Sequence, residues 1–230
     1  MKERPILFSG PMVRAILDDN KTQTRRVVKP QPASPGALYR EPDGSLMKDL
    51  RGRAFYTWPS GHPDADGRHP EYAAHCPYGV PGDRLWVRET WEGVFRHDIG
   101  DCSYAVSSGG TPANMRTQDR CLYLFYKADE LVHGEPYAGR WMPSIHMPRW
   151  ASRLTLEVVD VRVERVHDIS PDDALAEGVV ETEWFAGDEA SALGVFRSLW
   201  DSINAARGFG WDCNPWVWVV TFKRVEVQAQ

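Results

Sequence analysis

The residues best suited to chemistry lie in Ile16-Leu17-Asp18-Asp19-Asn20-Lys21-Thr22-Gln23-Thr24-Arg25-Arg26, where a helix end passes into an extended segment. Within six residues it carries a lysine, two hydroxyls and two arginines. Such a cluster can be a polar edge strand facing water, or a site whose cations meet an anion and whose hydroxyl attacks once a base takes its proton. Arg88 and Glu89, which follow the turn at Pro81-Gly82-Asp83, could hydrogen-bond a pyrimidine, fix a catalytic group, or form a structural ion pair. Trp86, Trp91 and Trp141 are flat enough to stack on a nucleobase and equally suited to core packing.

Histidine and cysteine offer less. His146 lies in Ser144-Ile145-His146-Met147-Pro148-Arg149-Trp150, where a lone histidine among prolines is ordinarily structural. His97-Asp98 has the form of a metal-binding dipeptide but lacks partner histidines at suitable spacing. Cys76, Cys102, Cys121 and Cys213 form no Cys-x-x-Cys pair, and His75 beside Cys76 does not complete a zinc set, so free thiols are expected and no metal or other cofactor.

These residues belong to a chain of 230, long enough for a large core. With 27 Lys and Arg against 32 Asp and Glu, the net charge of -5 excludes a strongly basic nucleic-acid coat, although not a local basic stripe. Ten tryptophans are many for this length, and several sit in short polar segments, which suits the lining of a site. Met1-Lys2-Glu3-Arg4-Pro5 has no signal-peptide character and no apolar run spans a bilayer, so a cytoplasmic protein without membrane attachment is expected.

Ser9-Gly10-Pro11 predicts a helix start, with Ser9 as cap and Met12, Val13, Ile16 and Leu17 as its apolar stripe. Lys21 to Val28 reads as extended. Residues from about 31 to 82, rich in Pro, Gly, His and Asp, read as a long irregular insertion, either a lid or a surface loop. Strands are expected at Arg84 to Trp91, Cys121 to Lys127, Leu154 to Val166 and Trp216 to Val227. Ser170-Pro171-Asp172-Asp173 starts a helix that Gly178 stops, Ser170 and Asp173 making a capping-box-like pair. A second helix over about Asp188 to Ala206 carries Leu193, Phe196, Trp200 and Ile203 on its buried stripe. Nonlocal strands with a few helices at their ends predict an α+β fold built on a small closed or nearly closed β-barrel.

Three motifs together resemble the ASCH-domain family of PUA-like barrels, and within it the small bacterial amidohydrolases that remove acyl groups from N4-acetylcytidine. Lys21-Thr22-Gln23-Thr24-Arg25-Arg26 fits the pattern Lys-Thr-x-Thr-x-Arg after a helix and polar turn. Ala174-Leu175-Ala176-Glu177-Gly178 fits the short helix closing in Ala-x-x-Glu, and Pro81-Gly82-Asp83-Arg84-Leu85-Trp86-Val87 resembles the Gly-Asp turn and its strand. With Arg4-Pro5-Ile6-Leu7-Phe8-Ser9-Gly10-Pro11 and the Trp-rich C-terminus, nearly the whole chain looks like the long ASCH-type proteins of phages and prophages. The resemblance implies one ASCH domain over residues 1–230, with the insertion at about 31–82.

It also implies roles. Lys21, Thr24 and Glu177 match the catalytic set of the compact deacylases; Arg26, Trp86, Arg88 and Glu89 are substrate-binding candidates on their own chemistry. Thr24 would attack, Lys21 would take its proton, and Glu177 would orient the lysine and return a proton to the departing amine. In a regular strand Lys21 and Thr24 would face opposite ways, so Lys21 must lie in the turn before the strand or a bulge must intervene. Glu177, in the last turn of its helix, is disfavoured by the macrodipole by roughly 0.3–1 kcal/mol, and Lys21 is the expected compensating cation. The expected function is hydrolysis of an N4-acylated cytosine nucleoside, a small-molecule partner. The alternative is a noncatalytic or nucleolytic reader of RNA or modified DNA, with Lys21, Arg25 and Arg26 on phosphate.

Overall fold

The computed structural model describes residues 1–32, 36–38, 53–59, 71–95, 111–112, 122–129, 131–132, 135–136, 140–179 and 191–225. In chain order the strands are β1 (Glu3–Leu7), β2 (Gln23–Val27), β3 (Ala37–Leu38), β4 (Phe55–Pro59), β5 (Glu71–His75), β6 (Arg84–Arg88) and β7 (Trp91–Phe95). They continue with β8 (Thr111–Pro112), β9 (Leu122–Tyr126), β10 (Leu131–Val132), β11 (Glu135–Pro136), β12 (Thr155–Arg165) and β13 (Trp216–Val225). The α-helices are α1 (Gly10–Leu17), α2 (Pro171–Ala176) and α3 (Ala192–Asn204).

The longest pairing is the antiparallel ribbon of β12 and β13, running from Thr155 opposite Val225 to Arg165 opposite Trp216. β6 joins the start of β12, β1 lies parallel to β6, and β2 lies antiparallel to β13, giving the order β1-β6-β12-β13-β2. β13 is buried at every position from Trp216 to Val220 because both of its faces are covered. Its alternation divides it between two cores. Trp216, Trp218, Val220 and Phe222 join Ile6, Leu85 and Leu156, whereas Val217 and Val219 pack with Ala174, Phe196 and Trp200 under α2 and α3.

Both helix ends of interest are cut by local chemistry. Val13 and Ile16 seat α1 in the main core, while Ser9 holds the N-cap position without making the expected side-chain cap bond. In α2 the Ser170 hydroxyl does accept from the Asp173 N–H, at 3.1 Å. The reciprocal half of a capping box is not made by Asp173, whose carboxylate is drawn to arginines on β2 and β12.

The class is mixed α and β, as expected, but the main sheet is open. Pairing ends at β1 and β2, and a closed barrel is not formed among the described residues. Across the gap, Arg26 Nη2 donates to the Leu7 carbonyl at 2.7 Å, a side-chain bridge where a barrel would have a backbone ladder. The described residues within 31–82 also differ from the irregular insertion expected. β3, β4 and β5 form a three-stranded antiparallel sheet. Ala54, Tyr56, Ala74, Cys76 and Val80 are buried in the main core. Their alternating apolar positions are short and flanked by turn-forming residues, which obscures the period. β7, whose Trp91 the sequence joins to the preceding strand, instead starts a separate sheet with β9 and β8. His97-Asp98, Cys102 and Cys121 lie outside the described residues. Among the described residues no helix is long and apolar enough to cross a membrane.

The Gly-Asp turn is a fastener. Gly82 has φ 85°, a left-handed value that suits glycine, and brings Asp83 to the head of β6. There its carboxylate accepts from the Lys2 N–H at 2.8 Å and from Arg4 Nη1 at 2.7 Å, tying β1 to β6. Asp83→Ala is expected to lower the unfolding free energy by roughly 2–3 kcal/mol, read as a drop in urea midpoint at unchanged slope.

Candidate active site

After α1, Asp19 turns the chain at φ 57°, and the N–H groups of Asn20 and Lys21 both donate to the Ala15 carbonyl, at 2.8 and 2.9 Å. Lys21 therefore precedes β2 rather than lying on it, and it pairs as an isolated antiparallel bridge with Glu177 at the end of α2. Thr22 N–H donates to the Ala176 carbonyl at 2.9 Å, closing the same clasp. Gly178 makes the approach feasible. With φ 82°, it comes so close that an added Cβ would stand 2.8 Å from Ala15 Cβ and 2.9 Å from Lys21 Cβ.

The clasp buries charge. Lys21 is 2% and Glu177 4% exposed. Lys21 Nζ donates to Glu177 Oε2 at 2.8 Å and to the Glu177 carbonyl at 2.6 Å. Burial pulls the Lys21 ammonium below the ordinary lysine value; Glu177 opposes this, and the positive charges of Arg26 and Arg25 reinforce it. The cation that offsets the helix end at Glu177 is thus Lys21, as expected, joined by one the sequence did not reveal. Arg25 Nη1 reaches Glu177 Oε1 at 3.3 Å.

Arg25 is the hub of a larger network. It donates to Gln23 Oε1 at 2.6 Å, to Glu164 Oε1 through Nε and Nη2, and to Asp173 Oδ2 at 2.9 Å. Arg162 shares both Glu164 and Asp173, at 3.1 and 3.0 Å. Burial pushes the Asp173 carboxyl up, but Arg25 and Arg162 outweigh it and hold the group below its ordinary value. Arg162 and Glu164 alternate on one face of β12, and the sheet register sets Arg162, Val219 and Arg25 in one row, an alignment that no local sequence signal gives.

A cavity of about 440 Å³ adjoins this network, within the range of small-molecule sites. Thr24, Arg26 and Trp218 line it from one face of the main sheet, Arg25, Val27 and Phe196 from the other. Because β13 occupies one side of β2, a cavity touching both faces must wrap the strand's free edge. Phe222 N–H donates to the Thr22 carbonyl and Val28 N–H to the Trp216 carbonyl, so even-numbered residues of β2 bond β13. The N–H and C=O of Arg25 and Val27 consequently point outward, toward the cavity side. Thr24 is 1% exposed, and its Oγ1 is buried without a hydrogen-bond partner among the described residues.

Of the candidates from the sequence, Thr24, Arg26 and Glu177 line this cavity, and Lys21 stands behind Glu177. Trp86, Arg88 and Glu89 do not. They lie at β6 and its end, separated from β2 by β12 and β13. Trp86 is covered by the Arg88 guanidinium at 5.0 Å, and Arg88 Nε donates to the Met147 carbonyl. Glu89, 2% exposed, is held by Arg153 through bonds of 2.9 and 3.0 Å, the structural ion pair. Burial raises its carboxyl, against the pull of Arg153. Trp91 packs edge-on to Trp150 with buried Leu124 and Met147, and His146 is exposed in a short turn. Cys76 is a buried free thiol, pushed up to about 12 by desolvation, and Cys213 is free and exposed. No group of three His, Cys, Asp or Glu among the described residues could hold a metal ion. The walls contributed by α3 and by His75, Pro77 and Tyr78 carried no motif and were missed.

Compared with known proteins, the chain matches no family model, no curated protein and no solved structure.

Removing Lys21 leaves Glu177 buried with Arg25, at 3.3 Å, as its remaining cation. Lys21→Met is expected to destabilise the fold by about 3–5 kcal/mol. Lys21→Met combined with Glu177→Gln should be less damaging than the sum of the single changes, a coupling that a denaturant double-mutant cycle measures.

Proposed function

We propose that the chain is an amidohydrolase that removes the acyl group from an N4-acylated cytosine nucleoside, on a PUA-like barrel of the ASCH type whose gap is bridged by Arg26. The observation that carries the reading is the unpartnered, buried Thr24 Oγ1 beside a cavity shared with Glu177, which itself grips a lysine of lowered pKa. A buried hydroxyl without a partner is uncommon and calls for one.

A neutral Lys21 amine has two N–H donors and one lone pair. The donors match the carbonyl and carboxylate of Glu177, and the remaining lone pair would take the Thr24 proton in the reacting complex, since Thr24 Oγ1 makes no hydrogen bond to Lys21 here. The Thr24 oxygen adds to the acyl carbon, and the outward N–H groups of Arg25 and Val27 are donors available to the developing oxyanion. The C–N4 bond then breaks as the nitrogen takes a proton relayed from Lys21 through Glu177, releasing the cytosine nucleoside. Water hydrolyses the threonyl ester, with Lys21 again as base, and the carboxylate leaves.

Incubation with N4-acetylcytidine should yield cytidine and acetate by chromatography. Thr24→Ala should abolish turnover while binding persists, and Thr24→Ser should keep measurable activity. Lys21→Arg should fail because guanidinium stays protonated, and Glu177→Gln should cost roughly 10²-fold. As only the neutral amine is a base, kcat should rise with pH along a limb whose apparent pKa is below the ordinary lysine value of about 10.4. Intact nucleoside with the wild type, together with polynucleotide binding that weakens steeply with salt, would favour the nucleic-acid reader.

A further inference from the structure

We infer that the substrate bears a phosphate, and that Lys29 and Arg207, at the end of the cavity away from Lys21, bind it. The inference rests on the cytosine-nucleoside reading and extends it from nucleosides to nucleotides.

The charged groups lining the cavity are unevenly matched. Arg25 is neutralised by Glu164 and Asp173, and Glu177 by Lys21 and Arg25. Arg26 lies over the Phe8 ring and donates to a carbonyl, with no carboxylate. Lys29 lies over the Phe209 ring at 5.3 Å, and neither it nor Arg207 has an ion-pair partner among the described residues. Three cations without a carboxylate partner among the described residues thus border one cavity of a chain whose net charge is -5. Two arginines elsewhere on the surface have found acids, Arg149 pairing with Glu3 and Arg197 with Asp212. A single carboxylate would leave this excess unmatched; a phosphate, at about -1.5 to -2, comes closer.

The positions are built, not accidental to a loose surface. Arg207 ends the short 3₁₀ turn that extends α3, and Gly208 at φ 79° reverses the chain. Phe209 is then fixed by Trp200 Nε1, which donates to its carbonyl at 2.8 Å, and by its own N–H on the Asn204 carbonyl. Lys29 lies two residues beyond the end of β2. Five residues of extended chain separate it from Thr24, about 16 Å at 3.3 Å per residue. A flexible lysine side chain can cover part of that gap towards a phosphate carried by a base seated beside Thr24. Lysine supplies a point charge to phosphate and arginine a planar fork, a complementary pair.

The test compares cytidine, cytidine 5′-monophosphate and a short oligocytidylate as ligands of the full chain, by calorimetry at low and high salt. The monophosphate should bind at least tenfold tighter than cytidine at low salt, with the preference shrinking as salt rises. Lys29→Gln and Arg207→Gln, both at exposed positions, should each cut the preference severalfold while leaving cytidine affinity unchanged. Equal binding of cytidine and its monophosphate, or a preference that neither substitution alters, would overturn the proposal. An oligomer that gains further over the monophosphate, with steeper salt dependence, identifies an internal phosphate of a polymer as the ligand; no gain identifies a mononucleotide. These binding readouts do not require hydrolysis. A phosphate preference that depends on Lys29 and Arg207, without deacylation, would keep this inference and reject the amidohydrolase reading; deacylation without the preference would do the reverse.

Discussion

The buried pair of Lys21 and Glu177 is the constraint around which the site is organised. Two charges taken out of water cost several kcal/mol each unless geometry and extra hydrogen bonds compensate. Here the compensation is assembled from four elements: the turn after α1, the end of α2, β2 through Arg25, and β12 through Glu164. None of these groups could be buried alone. The main-chain bridge between Lys21 and Glu177 shows that the pair is held by backbone as well as by charge, and Gly178 is the point where any side chain would force it apart.

A second constraint comes from leaving β2 as an edge. Free strand edges invite pairing with other chains, and proteins cover or blunt them. Here the edge is covered on one face by the segment from His75 to Tyr78 and on the other by α3, and the cavity is the space left between. The same openness that prevents barrel closure thus places outward N–H and C=O groups beside Thr24. Fold and site share a cause: β13 is buried on both faces, so β2 inherits one core on each side and the cavity can reach both.

How much of this was legible depends on range. The period of two left Lys21 either in the turn before the strand or beside a bulge, and the structure takes the first; its packing against the helix end came from the macrodipole, and both arguments are local. The Ser170 cap and the β12 and β13 strands were readable for the same reason. The Arg25 network was not, because its acids come from β12 and α2 and only the sheet register brings them together. β4 and β5 were hidden by the prolines, glycines and acids around them, although their alternating apolar residues enter the main core. Trp86, Arg88 and Glu89 were grouped with the site because they follow a matching turn, and the sheet order puts two strands between them and β2.

The network also shows how Glu177 could serve Lys21 in the proposed reaction, where the lysine gives up its proton. A carboxylate with Lys21 as sole cation would become an unpaired buried charge whenever the lysine turned neutral, and the pair would resist that change. Arg25 removes the difficulty: its guanidinium cannot deprotonate, and it holds Oε1 while Lys21 holds Oε2. Glu177 therefore keeps a permanent positive neighbour in both states of Lys21. Glu164 and Asp173 in turn keep Arg25 satisfied, and Arg162 balances those two acids. A network that looks like structural bracing is, on this account, what leaves the lysine proton free to move.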